Sequence, residues 1–382
     1  MNYNFPVLTL ESVREAIAGR ADFIEANRGD HIIFNYNVAF PDSFDCPIRR
    51  ECRGLIFSPE GEILSRRFHK FFNMNEREET LVHHVCEKMQ NEKYNILHKL
   101  DGSMITPIVL NGVVRWGTKM GLTDVANHVE DFIASYNCKN YVDFAWYCHE
   151  KKITPIFEYV GPYNRIILPY TTQNLTLLAI RENHSGDYLS YDRIRELAYH
   201  YDVQVVEQLD INIEQVSDMV DMEGIVLVFE DGHRVKVKSD WYVNLHKAKE
   251  NLLHEKNVIS MFINNELDDV LPHLMNEDKK KIKSYLDDFI FCFRNTRYEL
   301  YCTLSTMRSI KMERKQFALG PAKKYNGLAR ALMFKLWDFT GDEQELLTAV
   351  SDQMMQIVKS KLSSQASVEE LRDWLKFRKW DY

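Results

Sequence analysis

Gly224-Ile225-Val226-Leu227-Val228-Phe229-Glu230-Asp231-Gly232-His233-Arg234-Val235-Lys236-Val237-Lys238 reads as two strands and a tight reversal. The apolar run 224–229 and the alternating run 233–238 are strand-like, and Asp231-Gly232 between them is a turn dipeptide that joins antiparallel neighbours. Strand side chains alternate faces with period two, so Lys236 and Lys238 share one face while Val235 and Val237 turn toward apolar packing. That geometry directs two positive charges at one spot.

A third strand candidate, 95–99, runs into Lys99-Leu100-Asp101-Gly102-Ser103 and is followed by another at 103–110. A lysine ammonium is a poor nucleophile, with an ordinary pKa of about 10.4. Attack on a phosphate needs the amine deprotonated in place, which burial or neighbouring cations can arrange. The expectation is that Lys236 and Lys238 lower the pKa of Lys99 and neutralise phosphate oxygens during phosphoryl transfer, so that Lys99 becomes covalently loaded with a nucleotide.

The rest of the chain is compatible with that chemistry. Its 382 residues, 45% hydrophobic and 27% charged, have length for about two or three globular domains. The net charge of -8 means that a nucleic-acid partner has to be met by a local basic patch. Cysteines 46, 52, 86, 138, 148, 292 and 302 form no CxxC pair, which argues for reduced thiols and against a structural zinc. The first residues lack a secretory pattern and no apolar run approaches a membrane span. The expected location is therefore soluble and cytoplasmic, without a membrane partner.

Further strand candidates are 31–36, 54–57, 113–117, 154–159 and 175–181, with turns at Asn111-Gly112 and Pro59-Glu60-Gly61. Helices are expected at 10–18, 124–136 and 191–201. Residues 1–247 thus read as an α+β domain built on antiparallel sheets. After about residue 250 apolar spacings of three and four predict helices at 278–294, 297–313, 327–339, 342–362 and 368–377, so that 248–382 form an all-α domain. Its basic residues, among them Lys279, Lys280, Lys281, Lys283, Arg294, Arg297, Arg314 and Lys315, suit either an RNA backbone or solvated helix faces balanced by acids.

Several elements then recur in a fixed order: Tyr36 in Phe34-Asn35-Tyr36-Asn37, Arg53 in Glu51-Cys52-Arg53-Gly54, Lys70 in Lys70-Phe71-Phe72-Asn73, and the Lys99 pentapeptide. They continue with Lys119 in Thr118-Lys119-Met120-Gly121, Glu158 in Phe157-Glu158-Tyr159-Val160, Asn164-Arg165-Ile166, Arg181-Glu182-Asn183, Glu223-Gly224, Lys236-Val237-Lys238 and Asp240-Trp241-Tyr242. In this order the chain resembles the phage RNA ligase 1 family, within the covalent nucleotidyltransferases that include DNA ligases and mRNA capping enzymes. The resemblance spans at least residues 31–246.

The resemblance implies an ATP-dependent RNA ligase with an N-terminal adenylyltransferase domain. It joins 5′-phosphate and 3′-hydroxyl RNA ends through lysyl-AMP on Lys99 and an AMP-capped strand, using Mg²⁺ or Mn²⁺. By the same likeness Tyr36, Arg53, Lys70, Glu158, Lys236 and Lys238 hold the nucleotide, Glu158 at the ribose, while Lys119, Glu223, Lys236, Lys238 and Tyr242 serve catalysis. Glu223 is the implied metal ligand; Asp268 and Asp269 match a metal-contacting pair, although adjacent acids opening a helix are also caps. Tyr36 and Tyr242 each admit a second reading as core aromatics. The family implies a cleaved tRNA anticodon loop as substrate, selected by the helical domain. A monomer acting in tRNA repair is expected, in the host cytoplasm if phage-encoded. Two alternatives stay open: a GTP-dependent capping guanylyltransferase, which normally carries an OB-fold domain, and a catalytically silent RNA-binding protein. In two places the chain departs from the family pattern. Leu100 replaces the acidic residue that also occurs there, and Leu177-Leu178-Ala179-Ile180 replaces an aromatic adenine platform with aliphatic side chains.

Overall fold

The computed structural model describes residues 4–136, 138–274, 276–325 and 327–381, without the side chains of Asp269, His273 and Gln365. The chain divides into two compact units, Met1–Val243 and Asn244–Tyr382. This division and the expected boundary at 247 fall within one helix, Asp240–Leu252.

The first unit carries twelve strands among its described residues, in three four-stranded sheets. They are β1 (Phe23–Asn27), β2 (Ile32–Tyr36), β3 (Leu55–Phe57), β4 (Ile63–Ser65), β5 (Phe72–Asn73), β6 (Tyr94–Lys99), β7 (Ser103–Leu110), β8 (Val113–Gly117), β9 (Ile153–Val160), β10 (Asn174–Glu182), β11 (Gly224–Phe229) and β12 (Arg234–Lys238). The sheet orders are β1-β2-β3-β4, β10-β9-β7-β8 and β5-β12-β11-β6. Both the Asn-Gly and the Asp-Gly dipeptides close antiparallel hairpins as expected, pairing Leu110 with Val113 and Val228 with Arg234. One pairing departs from the antiparallel expectation: β5 runs parallel to β12, Val235 opposite Phe72. Two residues are too few to announce a strand in the sequence.

Alternation decides what each sheet face does. In the third sheet Ile96, Ile225, Leu227, Phe229 and Val235 form an apolar layer with Val85 and Val216, and Lys236 and Lys238 face the other way. In the second sheet Phe157 and Tyr159 are buried against Phe144, Val129 and Ile194 of the helices Asp124–Ser135, Lys139–Glu150 and Tyr191–His200. Burying a phenylalanine contributes roughly 2–3 kcal/mol, and this packing leaves Glu158, between the two aromatics, on the opposite face. The helix Lys139–Glu150 was not expected, because its aromatic and β-branched residues have low helix propensity. Tyr141, Phe144, Ala145 and Cys148 nonetheless make a buried stripe along it.

Every regular element among the second unit's described residues is a helix. The segments expected at 278–294 and 297–313 are a single 34-residue helix, Asn276–Ser309, since Asn295-Thr296 between them contains neither glycine nor proline to stop it. Tyr285 and Phe289 of this helix pack on Phe377, with Trp380 against Tyr285. Buried Glu255 accepts hydrogen bonds from the Tyr285 hydroxyl and the Trp380 amide, each at 3.1 Å. All seven cysteines are free thiols, and no described helix is long and apolar enough to cross a membrane.

Candidate active site

The pentapeptide Lys99–Ser103 is the turn between β6 and β7, and it places Lys99 on the last rung of its strand. Gly224 of β11 is paired on one side with Lys99 and on the other with Lys238. These residues open onto a cavity of about 300 Å³ lined by Arg53, Lys70, Lys99, Glu158, Lys236 and Lys238 among others. Residues far apart in sequence therefore converge on one cleft.

The charge arrangement corrects one expectation. The nearest charge to Lys99 is a carboxylate, not a lysine. Glu223 is 3% exposed and bridges the two ammonium groups, with Oε2 2.6 Å from Lys99 Nζ and Oε1 2.9 Å from Lys238 Nζ. The strand lysine whose ammonium is destabilised is Lys236, pulled down to about 7 by burial and by the charges of Lys70 and Arg53. Glu158 moves the other way. Burial pushes its carboxyl up to about 7 against the opposing pull of Lys99, and it accepts the Gly102 amide at 3.1 Å.

Gly102 is required by a close approach. A Cβ there would meet the Tyr159 carbonyl oxygen of β9 at 2.3 Å, so the approach is to the neighbouring strand rather than to a ligand. Ser103 donates to Asn164 Oδ1 at 3.0 Å. Asp101 is buried and ties the turn to its surroundings, accepting the Ile167 and Leu168 amides and the Tyr242 hydroxyl, each at 2.7 Å. Tyr242 is therefore both a core aromatic and a neighbour of the site: its hydroxyl holds Asp101, and Lys238 Nζ lies 5.0 Å from its ring centroid. Burial, then the Glu223 charge and the Asp101 bond, raise its phenol, keeping it a neutral donor. Replacing Tyr242 with Phe is expected to lower stability by about 1–3 kcal/mol, read from denaturant unfolding. An unchanged midpoint and slope would show that this bond contributes nothing.

A second group of cations surrounds Tyr36. Lys119 Nζ and Lys70 Nζ lie 4.6 and 5.7 Å from its ring centroid. Burial alone would raise the Tyr36 phenol, and the charges of Lys70, Arg53 and Lys119 outweigh that, leaving it below the ordinary value. Arg53 and Lys70 line the cavity, whereas Lys119 stands outside its lining, over Tyr36. The apolar part of the lining is Leu97, Met104, Leu178, Val206 and Val226 together with Phe68 and Phe71, and Met104 Sδ lies 3.5 Å from Arg53 Nη1. A register shift between Leu177 and Ala179 in β10 accompanies the presence of Leu178 in this lining.

Asp268 is exposed in the four-residue helix Leu267–Val270 of the second unit, and the side chain of Asp269 lies outside the described residues. No cluster of three or more potential metal ligands occurs among the described residues.

Sequence reasoning missed a buried ion network. Glu51 receives Arg181 Nη1 and Nη2 at 2.6 and 2.7 Å and Arg66 at 3.1 and 3.3 Å. Burial alone would raise the Glu51 carboxyl; Arg181 and Arg66 hold it below the ordinary range. Glu51 and Arg181 belong to two of the ordered motifs, yet nothing local marks them as partners 130 residues apart.

Comparisons with known proteins show the family. Residues 51–251 match the family model described as RNA ligase. A provisionally named RNA ligase of Thermovibrio ammonificans is 31% identical over 291 residues, covering 72% of this chain and 74% of that protein. The chain belongs to the RNA ligase family. Within the RNA ligase family it is also similar to the RNA ligase of Rhodothermus phage RM378, 25% identical over 391 residues, with 83% of this chain and 87% of that one covered. A provisionally named bifunctional polynucleotide kinase/RNA ligase of Autographa californica nuclear polyhedrosis virus is 28% identical over 288 residues, which are 68% of this chain and 39% of that protein. The RNA ligase match contains Arg53, Lys70, Lys99, Lys119, Glu158, Glu223, Lys236, Lys238 and Tyr242, while Tyr36 precedes it and Asp268 and Asp269 follow it.

Proposed function

We propose that the chain is an ATP-dependent RNA ligase in which Lys99 is the nucleophile. The observation that carries this reading is the shared rung of Lys99, Gly224 and Lys238 with Glu223 bridging the two amines, beside a cavity lined by both cationic and apolar side chains. The Lys99 amine attacks the α-phosphorus of ATP, forming a P–N bond as the bond to pyrophosphate breaks. A 5′-phosphate oxygen of RNA then attacks the same phosphorus and releases Lys99. In the last step a 3′-hydroxyl attacks the 5′-phosphorus and AMP leaves.

Each residue has a task in that sequence. Lys99 Nζ must lose a proton before it attacks, and Glu223 is the carboxylate within reach of it. Lys236, Lys238, Arg53 and Lys70 offset the negative charge that spreads over phosphate oxygens in each transition state. Glu158 faces the ribose, and the apolar part of the lining takes the base. Glu158 lines the cavity and Glu223 lies against its lining residues Lys99 and Lys238; both are hard oxygen donors, which suits a divalent cation held by one or two carboxylates and the substrate phosphates. Such a cation, Mg²⁺ or Mn²⁺, supplies Lewis-acid stabilisation of phosphate charge when bound. Lys119 and Tyr36 are placed for the 5′-phosphate of the strand to be joined. The exposed lysines of Asn276–Ser309 are suited to the RNA backbone, a cleaved tRNA anticodon loop being the substrate we infer. A GTP-dependent capping role is disfavoured because Asn244–Tyr382 has no strand among its described residues.

Incubation with α-labelled ATP or GTP and Mg²⁺, followed by denaturing electrophoresis, tests the reading. Label from ATP alone supports it; label from GTP would indicate capping, and no label a silent RNA-binding protein.

The Lys236 ammonium gives this reading a pH signature. In the free protein it titrates at about 7, so at about pH 8.5 it is mostly neutral, and phosphate binding, which favours the charged form, takes up a proton. Apparent affinity for ATP, measured with Lys99→Ala to prevent reaction, is expected to weaken by up to about tenfold per pH unit above about pH 7. Calorimetry in buffers of different ionisation heat should register proton uptake, and Lys236→Arg should reduce it to the part contributed by Glu158, whose carboxyl also lies at about 7. Equal uptake by the arginine variant would remove Lys236 from this role.

A further inference from the structure

Two adjacent arginines leave β4, and they are buried in opposite ways. Arg66 is saturated: besides Glu51 it donates to the carbonyls of Pro6, Asn183 and His184. Arg67 is 2% exposed, and its Nε, Nη1 and Nη2 donate to nothing among the described residues. A buried guanidinium without a partner is a costly group that a fold retains only for a reason. Burial and the neighbouring Arg53 charge pull Arg67 down to about 9, which still leaves it a cation at neutral pH.

Its position indicates what it serves. A Cβ on Gly54 would lie 2.8 Å from Arg67 Nη1 and 2.7 Å from Lys119 Cα, and one on Gly117 would lie 3.3 Å from Arg67 Nη2. The guanidinium is thus wedged between the backbone that carries Arg53 and the turn that carries Lys119, and a side chain at Gly54 would displace it. Arg53, Lys70 and Lys119 gather around Tyr36. No carboxylate forms an ion pair with these three or with Arg67 among the described residues, although the same unit pairs Lys99, Lys238, Arg66 and Arg181 with Glu223 or Glu51. Glu158 lines the same cavity and feels the Arg53 charge, but no carboxylate pairs with the four cations among the described residues, so the cluster lacks a counter-ion in contact.

We propose that Arg67 is the buried positioning cation of a second phosphate seat, formed at the surface by Arg53 and Lys119, and that its counter-ion is a phosphate group brought by the substrate. The inference rests on the ligase reading, which supplies two sources of that group: the pyrophosphate portion of ATP and the 5′-phosphate of an RNA strand. Arg67 acts without touching either one. Its unscreened charge holds the seat positive and repels Arg53 toward the cavity, at the expense of the stability of the empty protein.

The test uses the full chain and Arg67→Met, an apolar replacement of similar length. Affinities are measured by calorimetry for pyrophosphate, for a 5′-phosphorylated oligoribonucleotide and for the same strand with a 5′-hydroxyl, alongside thermal melting without ligand. The variant is expected to melt no lower than the parent and to bind at least one phosphate ligand about tenfold more weakly or worse, with the 5′-hydroxyl strand unaffected. Loss confined to pyrophosphate assigns the seat to the ATP leaving group, and loss confined to the 5′-phosphate assigns it to the RNA end. Unchanged affinity for both overturns the proposal whatever the melting temperature. Where Arg67→Met does not fold, Arg67→Lys and Arg67→Gln carry the same comparison, with binding kept by lysine and lost by glutamine as the expected result and equal binding by the two as the overturning one. Label transfer from ATP to the parent is scored separately: a parent that forms no adduct counts against the ligase reading, while pyrophosphate binding still reports on Arg67.

Discussion

Lys99→Ala is expected to abolish labelled adduct from ATP while leaving the joining of a pre-adenylylated RNA strand at least partly intact. The variant removes the protein atom whose bond to the nucleotide phosphorus forms in the first proposed step and breaks in the second. In the third step the leaving group is already on the RNA, and the reacting atoms are a 3′-hydroxyl and the 5′-phosphorus. What that step needs from the protein is cationic stabilisation by Lys236, Lys238 and their neighbours, all of which remain. Removing the ammonium also frees one oxygen of Glu223, which Lys238 still contacts at 2.9 Å. The fold should therefore tolerate the change. Full adduct formation by the variant would falsify the assignment of Lys99, and loss of the third step together with the first would place the lysine in phosphate binding as well as in attack.

Glu51→Ala is expected to be the most destabilising single substitution considered, by about 3–5 kcal/mol or more. The carboxylate neutralises two buried guanidiniums at once, and both would be left charged in a site that excludes water. The consequences extend along the chain. Arg66 also holds the Pro6 carbonyl at 2.8 Å, and the Arg181 guanidinium lies 4.5 Å from the Phe5 ring centroid, so the N-terminal segment is fastened through the same network. Arg181 Nη1 further binds the Arg67 carbonyl at 2.7 Å, which connects the network to the segment leading into Lys70. A domain is stable by only about 5–15 kcal/mol, so the loss should appear as a large fall in the denaturant midpoint. A shift worth less than about 1 kcal/mol would show that the guanidiniums find other partners. Glu51→Gln, which keeps shape and part of the hydrogen bonding, should fall between.

The parts legible in the sequence are those whose signal is local. Alternation in 233–238 placed Lys236 and Lys238 on one face, and the Asn-Gly and Asp-Gly dipeptides marked hairpins. Properties created by distant partners were not legible. The pairing of Glu223 with Lys99 depends on strand register across 124 positions, and β5 is a strand only because β12 lies beside it. Asp101 looked like part of a nucleophile motif and is a structural tie, since its partners Ile167, Leu168 and Tyr242 come from elsewhere in the chain. The unpartnered state of Arg67 leaves no trace in Arg66-Arg67, where two identical residues have opposite environments. The continuous helix Asn276–Ser309 was divided because its apolar stripe weakens in the middle, although nothing there breaks a helix.

Because Lys99, Gly224 and Lys238 stand abreast on adjacent strands, chain length near the nucleophile is under stricter control than composition. One residue added within Tyr94–Lys99 would rotate the amine into the apolar layer with Ile225 and Leu227, and two would restore its face but displace it by about 7 Å along the sheet. The Asn111-Gly112 hairpin end is different: a Cβ on Gly112 would meet nothing within 4 Å, and Ser103–Leu110 separates it from the amine by about 25 Å of strand. Indels should therefore be lethal to activity at one end of this chain segment and silent at the other, which makes the hairpin tip the natural point for grafting a reporter or an affinity handle.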